Sequence, residues 1–148
     1  MRIVNKTWQR NFSLIEDIEA GIVLTGAEAK SIMQGRMKLE GAYVKLTDDG
    51  PVLVNAEVYR YQYNGDREYN PLRRRKLLLN KKEILRLKSK MASTPGLTIV
   101  PITCYPKGRK IKLSIALVKG RIDTEKRRLE KAKEIKRKQQ KEIKELYR

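Results

Sequence analysis

A chain of 148 residues with 35 Lys and Arg against 17 Asp and Glu, and no histidine, carries a formal charge of +18. A field of that size draws in polyanions, while the missing histidine removes the side chain that titrates near neutral pH; the composition points to nucleic-acid binding and away from acid–base catalysis. The one cysteine, Cys104, excludes an internal disulfide and a multi-cysteine metal site, and within the apolar segment 97–105 it reads as a small buried hydrophobe.

This length makes one domain with room for an appendage. Residues 1–7 hold no long apolar region and no small-residue cleavage pattern, and no stretch approaches ~20 consecutive apolar residues. A cytoplasmic protein with no signal peptide and no membrane partner is expected. The texture changes near residue 122. Residues 123–148 hold eleven Lys/Arg, six Asp/Glu and no Gly or Pro, so the tail carries +5 and the body +13. The expected division is a binding domain over 1–122 and a basic tail over 123–148, disordered when free and ordering on a charged partner.

Residues 12–24 read as a strand, with Phe12, Leu14 and Ile18 punctuating acids before the β-branched run Ile22-Val23. Gly21 within it suggests a bulge or bend. Thr25 and Glu28 have the spacing of a capping box, Ala29, Ile32 and Met33 give a helical face, and Gly35 ends the helix. Tyr43, Lys45 and Thr47 then alternate with Val44 and Leu46, and the turn Asp48-Asp49-Gly50-Pro51 leads into a strand over 52–59. Asn80 and Glu83 read as a second capping box, opening a helix to about residue 92 on the face Ile84, Leu87 and Met91. Segments 97–105 and 110–118 straddle a turn at 106–109 as a hairpin, and Ile111, Leu113, Ile115 and Leu117 alternate against Lys110, Lys112 and Ser114. About six short antiparallel strands with two to three short helices predict a mainly β, α+β fold. A small OB-like closed barrel fits because it removes strand edges and offers a nucleic-acid face. In the tail, Leu129, Ala132, Ile135, Ile143, Leu146 and Tyr147 form only a ragged stripe, too weak for a coiled coil or a membrane surface.

There is no His/Cys cluster, no phosphate-cradling glycine loop and no serine–histidine pair, so no catalytic residue, metal or cofactor is expected. A two-metal nuclease would need Glu16, Asp17 and Glu19, or Asp48 and Asp49, to converge. A turn explains the second pair, and the solvent side of a strand explains the first group. The basic clusters are more informative. Arg73, Arg74, Arg75 and Lys76 stand before the apolar triplet 77–79 as a phosphate clamp, with a solvated loop as the plainer reading. Lys119 and Arg121 flank Gly120, where backbone can approach RNA closely. Tyr59, Tyr61, Tyr63 and Tyr69 interleave with Arg60 and Arg67, as stacking partners for unpaired bases or as packing residues.

In collinear order the chain resembles the small protein B (SmpB) family, the bacterial SsrA (tmRNA)-binding proteins. The resemblance rests on Asn5-Lys6 with Phe12, on the run from Glu19 to Ser31 (EAGIVLTGAEAKS, which includes Lys30), on RKLLLNKKEI from Arg75 to Ile84, on GLTIVP from Gly96 with Tyr105, and on ALVKG ending at Gly120. It implies a non-enzymatic adaptor for trans-translation. Its barrel would bind the tRNA-like domain of tmRNA and deliver alanyl-tmRNA, with elongation factor Tu, to the A site of stalled ribosomes. Ribosomal partners would be the decoding centre, the mRNA channel and 16S rRNA, and the protein would act as a monomer. The family's RNA-contact positions fall on Glu19, Leu78 and Asn80. Its tail element aligns with Glu125, Lys126 and Arg127, followed by the basic residues Arg128, Lys136, Arg137 and Lys138, which would become helical in a vacant mRNA channel. Glu125 stands for the family's usual Asp, Thr124 for a common histidine, and Tyr69-Asn70-Pro71 for its His-Asp-Pro. The alternatives are a general RNA- or ribosome-binding barrel and, more distantly, a metal-dependent nuclease.

Overall fold

The computed structural model describes residues 1–65 and 68–147, without the side chains of residues 123 and 124. The elements in chain order are β1 (Ile3–Val4), α1 (Trp8–Asn11), β2 (Phe12–Ile22), α2 (Gly26–Met33), β3 (Met37–Lys38), β4 (Tyr43–Thr47) and β5 (Gly50–Val54). They continue with β6 (Glu57–Val58), β7 (Arg75–Leu78), α3 (Lys81–Ser93), β8 (Leu97–Lys107), β9 (Lys110–Gly120) and α4 (Asp123–Leu146). The sheet order is β1-β8-β4-β5-β7-β2-β9, and β8 also pairs with β9. Six strands, β8, β4, β5, β7, β2 and β9, therefore close on themselves as a barrel, with β1 added outside β8. Every pairing among these strands is antiparallel, and β3 with β6 makes a separate ribbon.

The long hairpin β8–β9 is the frame. Its turn reverses at Gly108, whose φ of +62° favours glycine. The alternation in β9 sends Leu113, Ile115 and Leu117 into the barrel, each 1% exposed or less. They meet Ala20 from β2, Leu53 from β5, Leu77 from β7 and Ile99 from β8. Helix α3 adds Leu87, 1% exposed, whose burial contributes roughly 2 kcal/mol.

Local details differ from the sequence reading. Gly21 makes no bulge; it stays in register, opposite Leu78 on one side and Lys112 on the other. The bulges that bend the long strands lie between Leu14 and Glu16 in β2 and between Pro101 and Thr103 in β8. The strand expected over 52–59 breaks at Asn55, which adopts φ +63°, so β5 and β6 join different sheets. Thr25 and Glu28 do form a full capping box, but α2 buries Glu28, Ser31 and Ile32 and leaves Met33 half exposed. At α3 only one half of the box forms, with the Asn80 side chain accepting from the Glu83 N–H.

The N-terminal segment adds a second, outer core. Trp8 of α1, Phe12 and Ile102 pack over the outward residues Val100, Ala116 and Val118. Asn5, 4% exposed, donates to the Pro101 carbonyl at 2.9 Å and fixes this segment to β8.

Candidate nucleic-acid interface

The outer face of β2, β7 and the β8–β9 hairpin gathers Glu19 and Leu78, with Asn80 just beyond the end of β7. Ala20 and Ile22 point inward, so Glu19 and Gly21 look out. Glu19 pairs in register with Ser114, and Gly21 with Lys112, which itself sits opposite Tyr105. The Tyr105 hydroxyl donates to one Glu19 carboxylate oxygen, and the Lys107 ammonium donates to the other at 3.0 Å. These two hydrogen bonds, with the charges of Lys107 and Lys112, hold the Glu19 carboxyl below the usual carboxylate range. The same bond pushes the Tyr105 phenol up to about 12. Glu19 is thus a fixed, ionised acceptor within a cationic surround.

Leu78 lies beside it, 61% exposed, its Cβ 3.1 Å from where a Cβ on Gly21 would stand. This close approach is the reason for glycine at position 21. A hollow of about 290 Å³ opens here, lined by Gly21, Leu78, Ala29 and the basic residues Arg109, Lys110 and Lys112. Strand β7 runs antiparallel to β2, so the chain past Leu78 heads toward the Glu19 end of β2 and reaches exposed Asn80, the N-cap of α3. Glu19, Leu78 and Asn80, distant in sequence, are brought to one side of the barrel.

The arginine run divides. Strand alternation in β7 places Arg75 and Leu77 inward and Lys76 and Leu78 outward. Arg75 is fully buried, its guanidinium 2.6 Å from Glu28 and donating also to the carbonyls of Ala56, Pro71 and Arg73. That corrects the expectation of four exposed cations, since Arg75 has spent its donors inside the protein. Arg73 pairs with the other Glu28 oxygen at 2.5 Å and keeps 42% of its side chain exposed. Burial pushes the Glu28 carboxyl up, but hydrogen bonds from Arg73, the Thr25 N–H and Arg75, with the Arg75 charge, hold it down to about 2. Arg74 and Lys76 are the exposed members of the run.

Elsewhere, Lys119 and Gly120 are exposed at the end of β9, whereas Arg121 turns back to donate to the carbonyls of Gln9 and Phe12. The acids proposed for a nuclease separate: Glu16 pairs with Lys90 at 2.6 Å on α3, while Glu19 faces the hairpin. Among the described residues, no three of His, Cys, Asp and Glu stand close enough to hold a metal. Burial pushes the Cys104 thiol up to about 12, as its place in the core requires.

The family model described as SmpB protein matches residues 2–145. The chain belongs to the SmpB family. The SsrA-binding protein of Sulfurihydrogenibium sp. (strain YO3AOP1) is 42% identical over 95% of this chain and 91% of its own length. That of Persephonella marina is 40% identical over the same shares. A solved chain from "tmRNA-SmpB: a journey to the center of the bacterial ribosome" has a TM-score of 0.67 and 32% identity, covering 82% of this chain and 85% of its own.

In this SmpB chain the tail is the helix α4. Only Lys126 and Leu129 of its described side chains are half-buried, and residues 130–147 are exposed. Among the described residues, its salt bridge to the body runs from Glu130 to Arg10 of α1, at 2.8 Å. Glu125, Arg127, Arg128, Lys136, Arg137 and Lys138 all lie on the solvated surface. The Thr124 side chain and Arg67 lie outside what the structure describes. Sequence reasoning missed the contacts that Tyr105 and Lys107 make with Glu19, 86 and 88 residues away; the signals were the hairpin turn and, for Tyr105, its place in the family resemblance. Tyr69, for which both stacking and packing were open, takes the packing role: its hydroxyl donates to the Val58 carbonyl at 2.7 Å.

Proposed function

We propose that this protein binds SsrA RNA (tmRNA) through its tRNA-like domain and carries it to stalled ribosomes in trans-translation, as a binding protein and not an enzyme. The reading is carried by likeness, over 95% of the chain, to proteins named for binding SsrA RNA. The charge of +18 and the exposed face around Glu19 suit it. In this reading Lys30, Arg73, Arg74, Lys76 and Lys119 supply phosphate attraction, and Gly120 lets the RNA approach the backbone closely. Glu19 accepts N–H donors from a base edge, as a guanine offers, while Leu78 packs under a base and Asn80 both caps α3 and touches RNA. Helix α4 probes the mRNA channel and 16S rRNA near the decoding centre, where an occupied channel would penalise its entry. The protein acts as a cytoplasmic monomer and travels with alanyl-tmRNA and elongation factor Tu.

The test is competition binding of labelled tRNA-like domain against excess unlabelled tRNA-Ala at ~150 mM salt, which suppresses non-specific phosphate attraction. Binding that tRNA-Ala fails to displace, and that Glu19→Gln weakens, is the expected result. Equal displacement by tRNA-Ala reduces the protein to a general RNA-binding barrel.

A further inference from the structure

On the far side of α2 from Leu78, a second open hollow of about 470 Å³ is lined by Gly26, Ala27 and Lys30 of α2 and by Tyr61, Tyr63 and Gly65 of the turn that faces them. Tyr63 is 77% exposed, a large apolar surface to leave in water. Its ring meets that of Tyr61 edge-on, with centroids 5.4 Å apart and planes at 68°, which leaves a face of Tyr63 open. The Lys30 ammonium sits 5.5 Å from the Tyr61 centroid, so a cation stands at the edge of the aromatic pair.

The platform is built into the fold. The Asn64 N–H closes the turn onto the Tyr61 carbonyl at 2.9 Å, and Arg60 donates to the Asn64 carbonyl at 2.8 Å. Ser31 of α2 donates to the Tyr59 carbonyl, and Tyr69 to that of Val58, so the segment is tied to the helix and to β6. The capping box satisfies the N–H groups of Thr25 and Glu28, while those of Gly26 and Ala27 have no acceptor within the helix. Ala29 of the same helix lines the hollow beside Leu78, so one turn of α2 separates the two hollows and joins their rims into one surface.

An open aromatic face, an adjacent ammonium and two backbone donors match the parts of one nucleotide: a base to stack and a phosphate to pair. We propose that this hollow binds a single unpaired ribonucleotide, its base on Tyr63 and its phosphate at Lys30. The inference rests on the RNA-binding reading for the source of that nucleotide, but the site is testable without it.

Two probes serve: a single-stranded hexa-adenylate, because stacking is tolerant of sequence, and the tmRNA tRNA-like domain, both titrated at several salt concentrations. Tyr63→Ala is expected to weaken binding about 5- to 150-fold, the range for loss of one stacked base. Tyr63→Phe, which keeps the ring, is expected to stay within about 2-fold. Lys30→Gln is expected to lower the salt slope on the hexa-adenylate by about 0.7, one single-strand phosphate contact. Tyr63, 77% exposed, stands outside both core clusters of the described residues, and circular dichroism checks that the variants stay folded. A Tyr63→Ala variant that binds both RNAs like the wild type overturns the site. A wild type that binds hexa-adenylate through Tyr63 but ignores the tRNA-like domain upholds the site and overturns the tmRNA reading instead.

Discussion

Replacing Glu28 by Gln should destabilise the protein by about 3–5 kcal/mol, the usual cost of breaking a buried ion pair and leaving one charge behind. The reason is Arg75, fully buried, whose neutralising partner is Glu28 at 2.6 Å. The carbonyls of Ala56, Pro71 and Arg73 satisfy Arg75 donors but do not cancel its charge. A pH experiment reads the same pair. The folded Glu28 carboxyl sits near 2 against an ordinary 4.5, so its contribution is full above pH 4.5 and is lost as pH falls from 4.5 toward 2. That span is worth on the order of 3 kcal/mol. Urea unfolding of wild type and Glu28→Gln from pH 7 to pH 3 gives the difference curve, in which the other carboxylates cancel. The difference should be largest near neutrality and shrink through the acid range. A gap under about 1 kcal/mol at pH 7, or one that does not narrow in acid, would refute the assignment of Arg75 and Glu28 as a mutually dependent pair. Replacing both by Met and Leu should recover part of the loss, since the desolvation of both charges is removed together while the carbonyls of Ala56, Pro71 and Arg73 lose their donor.

Gly21→Val should cost about 1–3 kcal/mol and shift Leu78, because the new Cβ would stand 3.1 Å from the Leu78 Cβ; unchanged stability with an unmoved Leu78 methyl signal in NMR would rule out the close approach. Asn80→Ala should lower stability by about 1 kcal/mol through loss of the bond to the Glu83 N–H, while Asn80→Ser keeps the cap. A further drop in tmRNA affinity in the Ser variant would separate an RNA contact from capping, and no drop would leave Asn80 a cap alone. Removing residues 123–148 should spare tmRNA binding, because the face around Glu19 belongs to the barrel, and should abolish tagging of stalled chains; retained tagging would remove the tail from the mechanism.

The barrel was legible where local pattern and tertiary demand agree. In β9 the two-residue alternation read correctly up to Ile115, beyond which Ala116 and Val118 are buried on the other face beneath Trp8 and Phe12, and Thr25 with Glu28 formed the predicted capping box. The failures each have a physical cause. Arg75 hid inside a run of cations, yet counting back two from inward Leu77 puts it inside the barrel, and the capping Glu28 is its partner. Helix α1 spans four residues, too few to show a period, so the outer core of Trp8 and Phe12 left no signal. Asn55 reads as an ordinary strand residue until its φ of +63° is seen; Asn is among the few residues that tolerate that region and so can end a strand there. Of the candidate interface, Glu19 and Leu78 were reachable only through family resemblance, while the Tyr105 and Lys107 contacts depend on a register closed across the whole chain.

The position of Glu19 bears on how a protein of charge +18 would choose one RNA among many. Exposed lysines and arginines attract any phosphate backbone, and that attraction falls steeply with salt. A fixed carboxylate among them repels phosphate and accepts only from N–H or O–H donors. An RNA that docks with a phosphate at this point is rejected, and one that presents a base edge gains hydrogen bonds to a charged acceptor. Tyr105 and Lys107 sharpen the choice by holding the carboxylate in one place and ionised, so the ordering cost is met in folding. The cationic contribution fades with salt faster than a short-range hydrogen bond does, so selectivity for the correct RNA should rise as salt increases even while affinity falls. Tyr105→Phe should flatten that rise without changing the net charge, because it removes one of the two bonds that hold the carboxylate and alters no cation.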